Sequence, residues 1–104
     1  MPQYTAYDNP NRATRKAYPY LLEIQSNLLD GLRTTVVIPL CPKTAVNGPI
    51  SRLCPIVRIS GKDFILLTQQ IAAIDRNALG KAVADWSRYR AQIVAALDFL
   101  ISGI

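Results

Sequence analysis

The last eighteen residues of the chain, from Ser87 to Ile104, constrain the fold most because they predict a helix with one apolar face. At 3.6 residues per turn, apolar side chains spaced three and four residues apart form one stripe along a helix. The stripe consists of Ile93, Ala96, Leu97, Leu100, Ile101 and Ile104. Ser87 is a suitable N-cap, and Gly103 is a residue type that ends helices. The rest of the chain or a partner must cover this face, and the tip at residues 101–104 is a candidate contact surface.

Two connected strands are predicted ahead of this helix. Residues 20–25 alternate between apolar and polar types, which is typical of a half-buried strand with Glu23 on its polar face. The pair Asp30-Gly31 predicts a turn. Residues 33–38 are rich in β-branched side chains and predict the second strand, which Pro39 closes.

A hairpin is the clearest signal in the second half of the chain. Residues 55–59 and 64–68 predict its two arms, on either side of a turn at residues 60–63. Residues 71–74 predict a further strand, whereas residues 75–86 are a mostly polar connection to the helix. A short strand is also expected near the N-terminus. Because no βαβ alternation occurs, the predicted fold class is mainly β with a C-terminal α-helix, as a small antiparallel sheet or partly open barrel on which the helix packs.

Length and charge bound the class of protein. The 104 residues predict a single domain over the whole chain, and dimerisation would help so small a core. Twelve basic against seven acidic residues give a net charge of +5, but the charges are scattered, and only Arg12, Arg15 and Lys16 form a local group. This pattern predicts solvated charges, some of them serving an acidic protein partner, and no specific nucleic-acid binding. No membrane span or secretory signal is visible, so the cytoplasm is the expected location.

Composition also limits the chemistry. Cys41 and Cys54 are predicted to be buried free thiols, and without any histidine the chain cannot complete a zinc site of nitrogen and sulfur ligands. The commonest general base is missing, and the five glycines are isolated, so no phosphate-binding loop is present. The residues favour a binding protein with no cofactor, no metal and no catalytic residues, although a metal-free ribonuclease that uses arginine with threonine or serine is left open.

Three blocks of sequence together resemble the CcdB family of bacterial toxins. They are YPYLLEIQSNLLDGLRTTVVIPL at residues 18–40, LCPIVRISGKDFILLTQQIAAI at residues 53–74 and AALDFLISGI at residues 95–104. The resemblance implies a homodimeric, non-enzymatic toxin of a type II toxin–antitoxin system, built as an SH3-like, partly open antiparallel β-barrel. Such toxins bind the A subunit of DNA gyrase and trap the cleaved gyrase–DNA complex. A CcdA-type antitoxin removes them through a disordered segment that folds on binding.

The resemblance also assigns functional positions. The gyrase contact of the family maps to Ser26, Leu28, Asp98, Ile101, Ser102, Gly103 and Ile104. The antitoxin contact maps to Tyr7, the loop at residues 8–16 with Arg12, and Phe64. A symmetric dimer would present two copies of the helix tip to a two-fold target.

Two details qualify these positions. The best-known relatives carry a tryptophan at the position of Ser102, and loss of such an aromatic anchor would weaken binding by about 2 to 4 kcal/mol. The residues alone instead predict that Leu28 and Leu29 pack beneath their own loop and do not bind a partner. Two other functions remain open on the same fold: a MazF-like, metal-independent endoribonuclease and a basic barrel that binds nucleic acid.

Overall fold

The computed structural model describes residues 3–45 and 52–103, in which seven short strands form one antiparallel sheet that carries a C-terminal helix. In chain order these elements are β1 (Thr5–Asp8), β2 (Tyr20–Glu23), β3 (Thr34–Pro42), β4 (Ile56–Ile59), β5 (Lys62–Leu66), β6 (Ala72–Asp75), β7 (Ala82–Asp85) and α1 (Arg90–Ser102). The strand order is β4-β5-β3-β2-β1-β7, with β6 beside β3, and the sheet curves into a half-barrel. The predicted fold class is confirmed.

Strand β3 is the centre of the sheet. It pairs with β2 along one edge and with two strands in succession along the other, first β6 and then β5. Pro39 lies inside β3, so the prediction that it closes the strand is wrong. The position falls between the residues that pair with β6 and those that pair with β5, and its carbonyl accepts a hydrogen bond from the Leu67 N–H at 3.0 Å. Because no ladder bond is required of its nitrogen there, proline is tolerated.

The predicted hairpin is confirmed as β4 and β5, but its turn is shorter than expected. Only Ser60 and Gly61 separate the arms, and both have positive φ, at 51° and 79°. Such a two-residue turn matches the twist of the flanking strands, and it admits glycine most readily. Lys62 and Asp63, predicted as part of the turn, are the first residues of β5.

Strand β7 was missed, because its Ala-rich segment was predicted as a polar connection. It becomes a strand by pairing with β1 at the edge of the sheet. The chain just before β7 comes close to the end of β1 at Gly80, whose N–H donates to the Asp8 carbonyl at 3.0 Å. A Cβ atom at Gly80 would lie 2.6 Å from that same carbonyl oxygen, so only glycine fits.

The C-terminal helix begins later than predicted. A 3-10 turn at Ser87–Tyr89 precedes α1, and Ser87 is not the N-cap of the α-helix. The N–H of Ser87 donates to the Asp85 carboxylate at 2.9 Å. The predicted end is confirmed, because Gly103 adopts the left-handed conformation at φ 72° and its N–H donates to the Phe99 carbonyl at 2.9 Å.

Two apolar clusters form the core. The larger includes Trp86 and Ile93, which join the helix segment to the inner face of the sheet. The smaller contains Cys41 and Cys54, which are both buried free thiols, as predicted. Burial raises the pKa of both thiols. Within residues 3–45 and 52–103, no helix has the length and apolar character needed to cross a bilayer.

Candidate partner-binding surface

One face of α1 is turned to solvent. Val94, Asp98 and Ile101 follow one another at spacings of four and three residues, so they share this face, and all three are exposed. Ile101 is 80% exposed, whereas Ile93 and Ala96 on the other side of the helix are fully buried. Ser102 and Gly103 extend the exposed surface to the helix end. Ile104, the last residue of the predicted contact, lies outside the described residues.

A second exposed patch lies in the connection between β2 and β3. Its 3-10 turn, Asn27–Leu29, contains no buried residue, and the Leu28 side chain is 93% exposed. Ser26 caps this turn, since its hydroxyl oxygen accepts a hydrogen bond from the Leu28 N–H at 3.2 Å. The prediction that Leu28 and Leu29 tuck beneath the loop is therefore wrong, and both leucines face solvent. Residues 25–33 are called the Leu28 loop below.

A buried carboxylate supports the base of the Leu28 loop. Glu23 is only 1% exposed, so the prediction that it lies on a polar face is wrong. One carboxylate oxygen accepts from the Thr35 hydroxyl at 2.6 Å and from an Arg76 guanidinium nitrogen at 2.9 Å. The other accepts from the Tyr7 hydroxyl at 3.3 Å. All described polar contacts of the Glu23 carboxylate are therefore with other side chains of the same chain.

The sheet register explains why Glu23 is covered. Glu23 is opposite Val37 on β3, and Thr35 is two residues further along the same face. On the other side, Tyr7 pairs with Leu21, two residues before Glu23. These side chains therefore meet on the second face of the sheet, where Arg76 reaches them from the turn that follows β6.

Tyr7 is inaccessible to a partner. Its side chain is fully buried, so the predicted antitoxin contact by Tyr7 is incompatible with this structure. Burial and, second, the negative charge of Glu23 raise the pKa of Tyr7 to about 12. The tyrosine therefore acts within the protein as a neutral hydrogen-bond donor.

The other two predicted antitoxin positions are differently placed. Arg12 is exposed in the loop between β1 and β2. Phe64 is 6% exposed, and it lines a groove of about 750 Å³ together with Tyr20. The two rings meet edge to face with centroids 5.1 Å apart. Lys43, Lys62 and Asp63 also line the groove, which therefore combines an apolar floor with a small excess of positive charge.

The two exposed patches are held in different ways. Helix α1 packs against the 3-10 turn Thr68–Gln70, whereas the Leu28 loop accepts hydrogen bonds from Gln3 and Arg76. Among the described residues, no hydrogen bond or ion pair joins the loop to the helix end. The structure thus brings Ser26 together with Leu28, and Asp98 with residues 101–103, as two exposed patches with no described polar contact between them.

Arg76 is the functional candidate that sequence reasoning missed. It lies in a segment predicted as a polar connection, and no spacing or motif distinguishes it from the other arginines. One signal was available, because Glu23 is the only glutamate of the chain and stands inside an apolar strand. In the part of the chain that the structure describes, no cluster of three or more cysteine or acidic side chains could hold a metal ion.

Comparison with known families agrees with this architecture. The sequence model of the family described as CcdB protein matches residues 3–103 of the chain. The match covers all three blocks of the resemblance except the final residue, and the half-barrel with a terminal helix is consistent with that family. The chain therefore belongs to the CcdB family and is a toxin of a toxin–antitoxin system.

Proposed function

We propose that this protein binds the A subunit of DNA gyrase and traps the cleaved gyrase–DNA complex. The observation that carries the proposal is the exposure of the two large apolar side chains to which the family's contact maps, Leu28 at 93% and Ile101 at 80%. Apolar side chains so fully in water gain free energy when a partner covers them. The toxin acts by surface fit and forms no covalent bond with its target.

The proposal includes a homodimer. Val94 on the helix and Ile71 beside it are each 36% exposed and add apolar surface, since Ile71 directly follows the turn against which α1 packs. A second copy that covers this surface would bring two helix ends together at a two-fold axis. The paired ends would then meet a symmetric dimer of the gyrase subunit.

We also propose that the groove beside Phe64 and the exposed Arg12 receive the antitoxin. The lysines of the groove and the net charge of +5 favour an acidic segment with at least one large apolar side chain. A disordered antitoxin tail would fold as it binds there. Tyr7 is not part of this contact, because its side chain is buried.

A cleavage assay tests the gyrase proposal. Purified protein, gyrase and supercoiled plasmid should yield linear DNA after denaturation and protease treatment. Deletion of residues 102–104 should abolish this product while the circular dichroism spectrum and the oligomeric state stay close to those of the wild type, because Ser102 and Gly103 are exposed and the deletion leaves the buried Ile93 and Ala96 in place. The matched control is Val83→Ala, which trims an exposed side chain on the edge strand β7 and should leave cleavage unchanged. Unaffected gyrase activity at micromolar wild-type protein would refute the proposal.

The alternative of a metal-independent endoribonuclease has less support. Arg76 and Thr35 both donate to the carboxylate of Glu23, and arginine with threonine is the combination considered for a metal-free ribonuclease. That carboxylate is 1% exposed and its described contacts are all internal, so no RNA phosphate can approach it in this conformation. Cleavage of RNA by the purified protein in the presence of a chelator would reverse this preference.

A further inference from the structure

The Leu28 loop is ordered without an apolar core of its own. None of the three residues of its 3-10 turn is buried, and Leu32 is 51% exposed. Polar contacts replace packing, because Gln25 donates its side-chain amide to the Leu29 and Thr34 carbonyls at 3.4 and 3.2 Å. A loop held this way needs fixed donors, since each bond alone adds little net stability.

Arg76 supplies the best-fixed of these donors. Its Nε donates to the Leu32 carbonyl at 2.8 Å, and its Nη2 donates to the Leu29 carbonyl at 3.4 Å. Its Nη1 pairs with Glu23 at 2.9 Å. One guanidinium thus joins two carbonyls of the loop to a buried carboxylate, using the planar fork that lysine lacks.

Arg76 is itself anchored independently of the loop's tip. Its N–H donates to the Arg33 carbonyl at 2.9 Å, and the preceding Asp75 pairs with Thr34 in the ladder between β6 and β3. Asp75 also caps the turn that begins at Arg76, by accepting from the Asn77 N–H at 2.8 Å. The strand pairing of Asp75 and the ion pair with Glu23 in β2 therefore fix the backbone and the head group of Arg76 on the sheet, and the tip of the Leu28 loop is the part that gains order.

We propose that Arg76 is a positioning residue that holds the Leu28 loop in the conformation presented to the partner. The inference rests on the proposed gyrase contact and adds to it a residue that does not touch gyrase. A loop already in its binding conformation loses less entropy when the complex forms. If the competent fraction of the loop fell to about one tenth, the apparent affinity would fall about tenfold.

The test is a double-mutant cycle between Arg76→Lys and Leu28→Ala, with affinity for the purified gyrase A subunit as the readout. Lysine keeps a positive charge beside Glu23 but cannot bond three acceptors in this geometry. We expect Arg76→Lys to weaken binding about tenfold in the wild-type background and to have little further effect once Leu28 is alanine. Equal losses in the two backgrounds would overturn the inference.

Hydrogen exchange gives a readout that does not depend on gyrase. In Arg76→Lys, the Leu29 and Leu32 amides should exchange faster, while the Val37 amide in β3 should keep its protection. Unchanged exchange at the loop amides would also overturn the inference. Absence of wild-type binding to gyrase would instead refute the proposed function, and the exchange data would still decide whether Arg76 holds the loop.

Arg58→Lys is the matched control, because Arg58 also joins a carboxylate, Asp63, to a backbone carbonyl, that of Gly61, on the distant hairpin. It should change neither affinity nor exchange in the Leu28 loop. Should Arg76→Lys fold poorly, the double variant Glu23→Gln/Arg76→Gln removes both charges together and leaves no buried ion unpaired. Its loop amides should also exchange faster than those of the wild type, and unchanged exchange would count against the inference.

Discussion

The Leu28 loop and the end of helix α1 both present a large apolar side chain to water, but they are held in place by different physics. The helix end is fixed by apolar packing, since Ile93 and Ala96 are fully buried and Ile93 belongs to the core cluster of the sheet, and by the left-handed cap at Gly103. The loop has no such packing and depends on Arg76 and the buried Glu23. Apolar packing is insensitive to pH, whereas a network built on a carboxylate, a guanidinium and a phenol is not.

The largest effect should come from Glu23→Ala, which breaks the network under the loop. The change leaves Arg76 without its carboxylate and the Tyr7 hydroxyl without its acceptor. We expect the free energy of unfolding to fall by about 3 kcal/mol, the lower end for a broken buried pair because Arg76 is partly exposed. Urea unfolding measures the loss.

The exposed pair formed by Arg58 and Asp63 is the control for this change. Its side chains are 62% and 34% exposed, so Asp63→Ala should lower the free energy of unfolding by less than about 1 kcal/mol. Equal losses of unfolding free energy for Glu23→Ala and Asp63→Ala would show that the buried pair stabilises no more than the exposed one. The claim that the Leu28 loop depends on a buried polar network would then be wrong.

Alkaline pH should weaken the loop network next. The pKa of Tyr7 is about 12 in the folded protein, against about 10 in an unfolded chain. The folded state therefore holds this proton more tightly, so the stability it confers is fully present below pH 10 and is lost as the pH rises toward 12. A difference of two pKa units corresponds to about 2 to 3 kcal/mol.

Urea unfolding of the wild type and of Tyr7→Phe between pH 9 and pH 12 measures this contribution. The difference in stability between the two proteins should shrink as the pH rises, because phenylalanine has no proton to lose. Tyr18→Phe, at a half-buried tyrosine outside the network, is the control. Parallel curves for the wild type and Tyr7→Phe would contradict the expectation.

The smallest expected effect is a gain in affinity for gyrase from a substitution at the end of helix α1. Ser102→Trp places an aromatic ring on the exposed end of α1, at the position to which the resemblance to the best-known members of the family assigns a tryptophan. We expect affinity for the gyrase A subunit to rise by about 1 to 2 kcal/mol, since aromatic side chains are frequent anchors of protein interfaces. Titration calorimetry measures the gain. Ser87→Trp, at the exposed other end of the helix segment, should leave affinity unchanged, and a gain there as well would indicate non-specific stickiness.

Three errors of the sequence analysis share one cause, which is that contacts between elements distant in sequence decide which residues are buried and which segments pair. Glu23 was placed on a polar face because alternation reports only which residues share a face, and the second face of β2 is covered by side chains from β1, β3 and the turn after β6. Strand β7 was missed because its Ala-rich segment has little intrinsic strand preference and gains its conformation by pairing with β1. Tyr7 was assigned to a surface through the resemblance, although its position on β1 buries it completely.

The sequence by itself determined the hairpin at residues 56–66, the apolar stripe and glycine stop of the terminal helix, the burial of both cysteines and the family. These features depend on local backbone preference, on periodicity within one element, or on blocks of residues read in order. Only the tertiary structure decided that Leu28 stands free in water and that Arg76 holds its loop. The physical reason is that the Arg76 side chain contacts residues 44 to 53 positions earlier in the chain, and no periodicity encodes contacts at that sequence separation.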